Sequence, residues 1–188
     1  EFRKCTYMQL GKLESDDMQN MAMAYVVSKE KKREVITKMI TELCVSGVNS
    51  IVKKEERLQQ IRSLFDLDGI TIYSESGAQL VCRNGNYMVE VPDGRGLFED
   101  EKYLALFGDD DNFIESNTLK LRFQDPAAFA VMQKQEIGAS LQCLSRKEGV
   151  PNVIVNYDVF NRNRKWSDED ITLLTILGHC IGNLLNYS

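Results

Sequence analysis

The sequence holds one histidine, His179, in 188 residues, and none of its five cysteines forms a C-x-x-C pair. Zinc wants several nitrogen or sulfur ligands and haem wants a pocketed axial ligand, so no metal and no cofactor is evident. The cysteines are Cys5, Cys44, Cys82, Cys143 and Cys180. Their odd number and wide spacing argue against a disulfide framework. Most sit in apolar patterns, as free buried thiols of a reducing cytoplasm do, and a cytoplasmic location is the expectation. There is no secretory signal and no apolar run of about 18 residues, which excludes membrane insertion of this stretch. An excess of cations is also missing: the net charge is −5. A nucleic-acid partner would want a basic face, and an anionic membrane surface would repel this chain. No P-loop, G-x-S-x-G or G-x-G-x-x-G occurs; Gly94-x-Gly96 alone is a turn. Without a nucleophile–base constellation, no catalysis is expected within this stretch. The first residue is Glu1, not Met, which leads us to expect a piece of a longer protein.

What is present suits a folded domain. The apolar fraction, 43%, is enough for a core. The length suits one domain of about 130–150 residues plus an extension. The C-terminal third is the most legible part. The runs 141–144 and 153–157 read as strands, and the polar 146–149 stretch between them as a hairpin connection. Pro151 stands just before the second strand, where a missing N–H does least harm. Ser167 caps a helix whose first turn is Asp168, Glu169 and Asp170, in the capping-box pattern. The helix has two apolar stripes. Ile171, Leu174, Leu177, Ile181, Leu184 and Leu185 form one, and Leu173, Ile176 and Cys180 the other, which implies burial on two sides. Gly178 and Gly182 clear one line of its surface, as if another backbone came close there.

Towards the N-terminus the pattern weakens. Residues 1–27 suggest a helix of uncertain extent, with Leu10, Leu13, Met21 and Ala24 on one face. Ser28 can cap a second helix, in which apolar pairs recur every four residues from Val35/Ile36 to Ile51/Val52. It is the obvious partner for the C-terminal helix. Residues 54–65 form another helical segment, with Leu58, Ile61, Leu64 and Phe65 inward, broken at 66–69. Residues 70–73 and 79–83 read as a hairpin, Asn84-Gly85 as a primed turn, and 87–91 as a short strand. A short helix over 98–107, a polar loop over 109–112 and an extended stretch over 113–123 follow. Asp125-Pro126 then opens a helix to about Glu136 that buries Phe129 and Met132.

The C-terminal order of residues resembles the end of a GAF domain. It is carried by Asp158, Asn161, Arg164, Trp166, Ser167, Glu169, Asp170, Leu173, Leu174, Leu177, Gly178, Ile181 and Leu184. It is most similar to GAF sensor domains of bacterial signalling proteins, often linked to diguanylate cyclase (GGDEF) or EAL output domains. The likeness is good over about the last 50 residues, fair over 58–73 and poor in between; Val153 stands where the family commonly has a Gly. It implies an α/β (α+β) fold, with a central antiparallel sheet, helices on both faces and long terminal helices packed together. The implied organisation is a helical linker at 1–29 and a GAF-like domain at 30–188. Within that domain lie a lead-in at 30–66, a sheet core at 67–158 and a helix at 167–187. Ile36, Ile40, Leu43, Leu177, Gly178, Ile181, Gly182 and Leu185 would pack the terminal helices and a homodimer.

Several sharper readings find little support in the residues, and of these cyclic-nucleotide binding stays open. Bilin-binding family members carry a Cys followed by His in mid-domain; here His179-Cys180 is reversed and in the last helix. His179 suits a core or interface position. Asp109, Asp111 and Glu115 offer only part of a calcium loop and suit a solvated one. Asn161-Arg162 and Trp166-x-x-x-Asp170 echo the cyclic-nucleotide family pattern with changed residues. A structural ion pair from Arg162 or Arg164 to Asp170, with Trp166 as a core plug, is the better reading. The resemblance places a pocket on the sheet face opposite the terminal helices, under a roof over 98–132. Its candidate lining is Tyr73, Arg83, Phe98, Tyr103, Phe107, Phe113, Arg122, Phe129, Cys143 and Asn156, with core packing the competing role of the aromatics. Asn156 stands out as an amide interrupting an apolar strand, and a buried amide needs a partner. Three functions stay open: a sensor of an unknown small molecule controlling an attached output domain, a structural dimer module with a filled pocket, and a methionine-sulfoxide reductase using Cys82 and Cys143 on neighbouring strands.

Overall fold

The computed structural model describes residues 2–46, 55–75, 77, 79–83 and 94–186. The chain divides into two compact units, Glu1–Val35 and Ile36–Ser188. Helix α1 covers Phe2–Ser46 without a break at Ser28. No glycine or proline lies between residues 12 and 46, so nothing obliges the chain to stop, and Ser28 is an ordinary helical residue. In the first unit Met18, Met21, Met23, Tyr25, Val26 and Val27 are exposed. The Lys29 ammonium sits 4.7 Å from the centre of the Tyr25 ring.

The second unit is built on one antiparallel sheet. After α2 (Glu55–Leu64) come β1 (Gly69–Ser74), β2 (Gln79–Arg83), β3 (Asn112–Glu115), β4 (Ile137–Lys147) and β5 (Val150–Phe160), in spatial order β2-β1-β5-β4-β3. The β4–β5 hairpin is the spine. Its connection is Glu148-Gly149, with φ of 53° and 85°, the double positive φ that a tight hairpin twist requires. Both strands run 11 residues, well beyond the apolar runs that mark them in the sequence. Pro151 lies inside β5 opposite Arg146, next to a register shift at Ser145/Arg146 that absorbs its missing N–H.

Alternation along the strands sends two sets of side chains to two cores. On one face, Ile70, Ile72, Leu141, Cys143, Val155 and Tyr157 meet Ile36, Met39 and Leu43 of α1, Ile61 of α2, and Leu174, Leu177 and Ile181 of the last helix, α6 (Asp168–Asn186). Arg57 and Glu42 pair at 2.8 Å between α2 and α1. Ser167 caps α6 by accepting from the Asp170 N–H at 3.1 Å. Arg164 pairs with Asp170 at 3.0 Å and lies 4.3 Å from the Trp166 ring centre. Trp166 is buried and donates from Nε1 to the Glu115 carbonyl at 3.3 Å, so it is a core plug and Arg164 is the pairing arginine. Arg162 instead pairs with Asp66 and Asp68. His179 is half-buried on α6.

Gly178 and Gly182 face β4. A Cβ on Gly178 would lie 2.6 Å from Cys143 Sγ, and one on Gly182 would lie 2.6 Å from Ser145 Cβ. The close backbone is a strand of the same chain, not a second helix. Leu177, Gly178, Ile181 and Gly182 are thereby used within the unit, and Ile40 and Leu185 pack partly buried against the same core. The second stripe of α6 is what stays open: Ile176 is exposed, and Leu173 and Cys180 are half-buried.

The opposite face is covered by the 94–135 segment: 3₁₀ turns at Arg95–Phe98 and Thr118–Lys120, then α3 (Glu101–Leu104), α4 (Leu121–Gln124) and α5 (Pro126–Lys134). Asp125 caps α5 from its carboxylate, with Pro126 in its first turn. The 113–123 stretch is extended only to Glu115. The Asn117 side chain accepts from the Leu119 N–H and turns the chain into helix, leaving Leu119 61% and Phe123 87% exposed while Leu121 is buried. The expected Asn84-Gly85 turn and the strand over 87–91 lie outside the described residues, as does the end of the expected helix at 47–52.

Candidate ligand-binding site

Between the sheet and its 94–135 cover lies a small, open-mouthed cavity of about 90 Å³. Its floor is Tyr73 of β1, Gln142 of β4 and Asn156 of β5. Its wall comes from Leu97, Asp100 and Tyr103, and from Ala127, Ala128, Val131 and Met132 of α5, with Gln135 and Ile137 at the far side. The elements dictate this lining. Residues 140, 142, 154, 156 and 158 share one face of the β4–β5 hairpin because side chains alternate. Asp100 starts α3 by accepting from the N–H groups of Lys102 and Tyr103, which turns Tyr103 inward.

A polar relay crosses the floor. The Tyr103 hydroxyl donates to Gln142 Oε1 at 2.5 Å, Gln142 Nε2 donates to Ser140 Oγ at 3.1 Å, and Ser140 Oγ donates to Asp158 Oδ1 at 2.6 Å. Arg83 Nη2 donates to Gln135 Oε1 at 2.7 Å, and Gln135 in turn contacts the Tyr73 hydroxyl. Burial pushes the Asp158 carboxyl up to about 6, against the pull of Ser140 and Arg83. Burial also holds the Tyr73 and Tyr103 phenols well above their ordinary range. Asn156 is 6% exposed, and its Oδ1 is buried with no hydrogen-bond partner. A buried acceptor left bare costs roughly 1–3 kcal/mol, so its place in a cavity wall is informative.

Of the residues marked out by sequence, Tyr73, Tyr103 and Asn156 meet at this cavity. Phe107 and Phe113 pack beside it in the cover's core, with Tyr103 and Phe107 edge to face at 5.6 Å. Phe98 is partly buried against the same core. Arg83 stands behind the wall, its guanidinium 5.3 Å from the Phe160 ring centre. Phe129 lines a separate, more open groove with Asn117, Gln133 and Asn161. Arg122 is exposed on α4. Cys143 is not at the cavity: alternation turns it to the other face against α6, where burial pushes its thiol up to about 12. Cys82 and Cys143 are not on neighbouring strands either. They lie on β2 and β4 with β1 and β5 between them, three strand spacings or about 14 Å apart. Asp100, Gln135, Gln142, Ser140 and Asp158 escaped the sequence reading. The signal for three of them was present, since Ser140, Gln142 and Asp158 are polar members of apolar strands at the period of Asn156.

Among the described residues no group of three or more histidine, cysteine or acidic side chains could hold a metal ion. No helix among them is long and apolar enough to cross a membrane.

A five-stranded antiparallel sheet, terminal helices on one face and a cavity under a short-helix cover on the other make this a GAF fold. Solved structures of that fold are similar to it. One is the phycoerythrobilin-bound GAF domain of a cyanobacterial phytochrome, with a TM-score of 0.62 and 10% identity over 84% of this chain and 95% of that one. Another is the third GAF domain of a Synechocystis protein in its photoproduct state, with a TM-score of 0.54 and 14% identity over 74% and 94%. A third is the free methionine-R-sulfoxide reductase of Neisseria meningitidis in complex with its substrate, with a TM-score of 0.54 and 10% identity over 83% and 89%. No protein-family model and no curated protein matches the sequence.

Proposed function

We propose that this chain is a sensory module: a GAF-fold domain that binds a small molecule in the cavity over Asn156 and reports it through its terminal helices. The observation that carries this reading is the bare, buried Asn156 Oδ1 in the wall of an open cavity. A concave site with a few placed polar groups among apolar ones is how a small-ligand site is built, and this cavity's about 90 Å³ restricts it to a compact ligand. Floor and helices are the two faces of the same strands, since Gln142 and Asn156 face the cavity while Cys143 and Val155 meet the helix-side core. A ligand that shifts β4 or β5 is thus one layer from α6.

Signal output then needs a partner. We propose a homodimer in which the open stripe of α6, Leu173, Ile176 and Cys180, meets a second copy, and an attached output domain in a bacterial cytoplasmic protein. The resemblance in the sequence favours an output in cyclic-di-GMP turnover. The chain itself acts without catalysis: both thiols that a sulfoxide reductase would need are buried on the face away from the cavity. A thermal-shift screen of metabolites at two protein concentrations tests the reading. A ligand at a hundredfold over its Kd should raise the melting temperature by about 5–10 °C. Melting that responds to protein concentration but to no ligand would leave only the structural dimer.

A further inference from the structure

We propose that the cavity takes a small neutral or cationic N–H donor with an apolar body, and rejects anions. This rests on the ligand-binding reading above and adds the class of ligand. The bare Asn156 Oδ1 can only accept, so the group that satisfies it must donate. Among the described residues that line the cavity, Asp100 is the one acidic or basic side chain other than the two tyrosines. Asp158 lies under the floor, one hydrogen bond beyond Ser140. Arg83, the nearby cation, is not on the wall and is held by Gln135. Among the described residues an anion would therefore meet the Asp100 carboxylate on the wall, with Asp158 and Arg83 opposing each other behind it, whereas a donor meets an unsatisfied acceptor. Leu97, Val131, Met132 and Ile137 supply the apolar side. A phosphate-bearing ligand, cyclic nucleotides included, fits none of this, because phosphates are held by cations or by clustered N–H groups.

Four probes of nearly one shape separate the possibilities: benzamide, benzamidinium, N,N-dimethylbenzamide and benzoate. Titration calorimetry of the intact chain, at mildly alkaline pH where Asp158 is ionised, should show benzamide and benzamidinium binding at least about tenfold tighter than the other two. Asn156→Leu should erase the preference for benzamide over its dimethyl form. Asp100→Asn keeps the helix cap, since Asn caps as Asp does, and should weaken benzamidinium alone. If benzoate or the dimethyl amide binds as well as benzamide, or if Asn156→Leu changes nothing, the donor inference falls while the cavity remains a ligand site. If none of the four binds at about 10 mM, both fall.

Discussion

Gly182→Ala sets two known effects against each other. Alanine is better than glycine in a helix interior by about 1 kcal/mol, so on propensity alone the substitution stabilises α6. The sheet opposes it. The new methyl would run into Ser145 Oγ and lie 2.6 Å from Ser145 Cβ. The hydroxyl can rotate away, but Ser145 Cβ is fixed to β4 and cannot. The helix must then lift from the strand, and Gly178, one turn earlier and 2.8 Å by the same construction from Cys143 Cβ, lifts with it. Overpacking of this kind costs about 1–3 kcal/mol, and two backbone-anchored carbons belong at the upper end. The net is a loss of about 2 kcal/mol, or about 4–8 °C in melting temperature for a chain of this length. Urea unfolding of the wild type, Gly182→Ala, Ser145→Gly and the double variant measures it. The cycle should return a coupling above about 1 kcal/mol, because removing Ser145 Cβ removes the obstacle. Unchanged or raised stability in Gly182→Ala would refute the close approach and return Gly182 to an interface with another helix.

Asn156→Leu should stabilise the ligand-free protein by about 1–3 kcal/mol, since it removes a bare buried acceptor; a loss of stability in urea would mean that Oδ1 is satisfied after all. Asp158 should make stability depend on pH. Its native carboxyl titrates near 6 against an ordinary 3.8, so the native state binds the proton more tightly. Stability is then full in acid and falls as pH rises through about 6, by about 3 kcal/mol in total. Asp158→Asn should remove that slope, and equal slopes in both proteins would contradict the burial of the charge. Cys82 and Cys143 should resist iodoacetamide in the native protein while exposed Cys44 reacts, as read by peptide mass spectrometry. Prompt labelling of Cys143 would bring the reductase reading back.

The fold was legible wherever local chemistry and pattern agreed. Ser167 with three acids behind it, Asp125-Pro126, and the polar break between two β-branched runs each name an element without help from tertiary contacts. Where the pattern has two interpretations, the sequence misleads. Leu119, Leu121 and Phe123 alternate like a strand, yet Asn117 caps a turn and the stretch is helical. Ser28 looked like a cap because hydroxyls cap helices, but a Ser with helix formers on both sides simply continues one. The site was half legible. An amide in an apolar strand is visible from sequence alone, whereas Gln135 and Asp100 reach the cavity only through where α3 and α5 dock. Cys143 belongs to the helix-side parity of β4, and sequence alone does not say which parity of that strand faces the cover.

The two-residue connection between β4 and β5 also has a kinetic meaning. Those strands can pair at almost no cost in chain entropy, and α6 follows within ten residues to cover them. By contrast, Gly69 of β1 pairs with Asp158 across 158 − 69 = 89 residues. Closing such a loop costs about 3 kcal/mol more than closing a tight turn, by the logarithmic growth of loop entropy. The C-terminal hairpin and its helix should therefore form the transition-state nucleus, with β1 and β2 added late. Val155→Ala would slow folding, and Ile72→Ala would chiefly speed unfolding. The reverse pattern would place the nucleus at the other edge of the sheet.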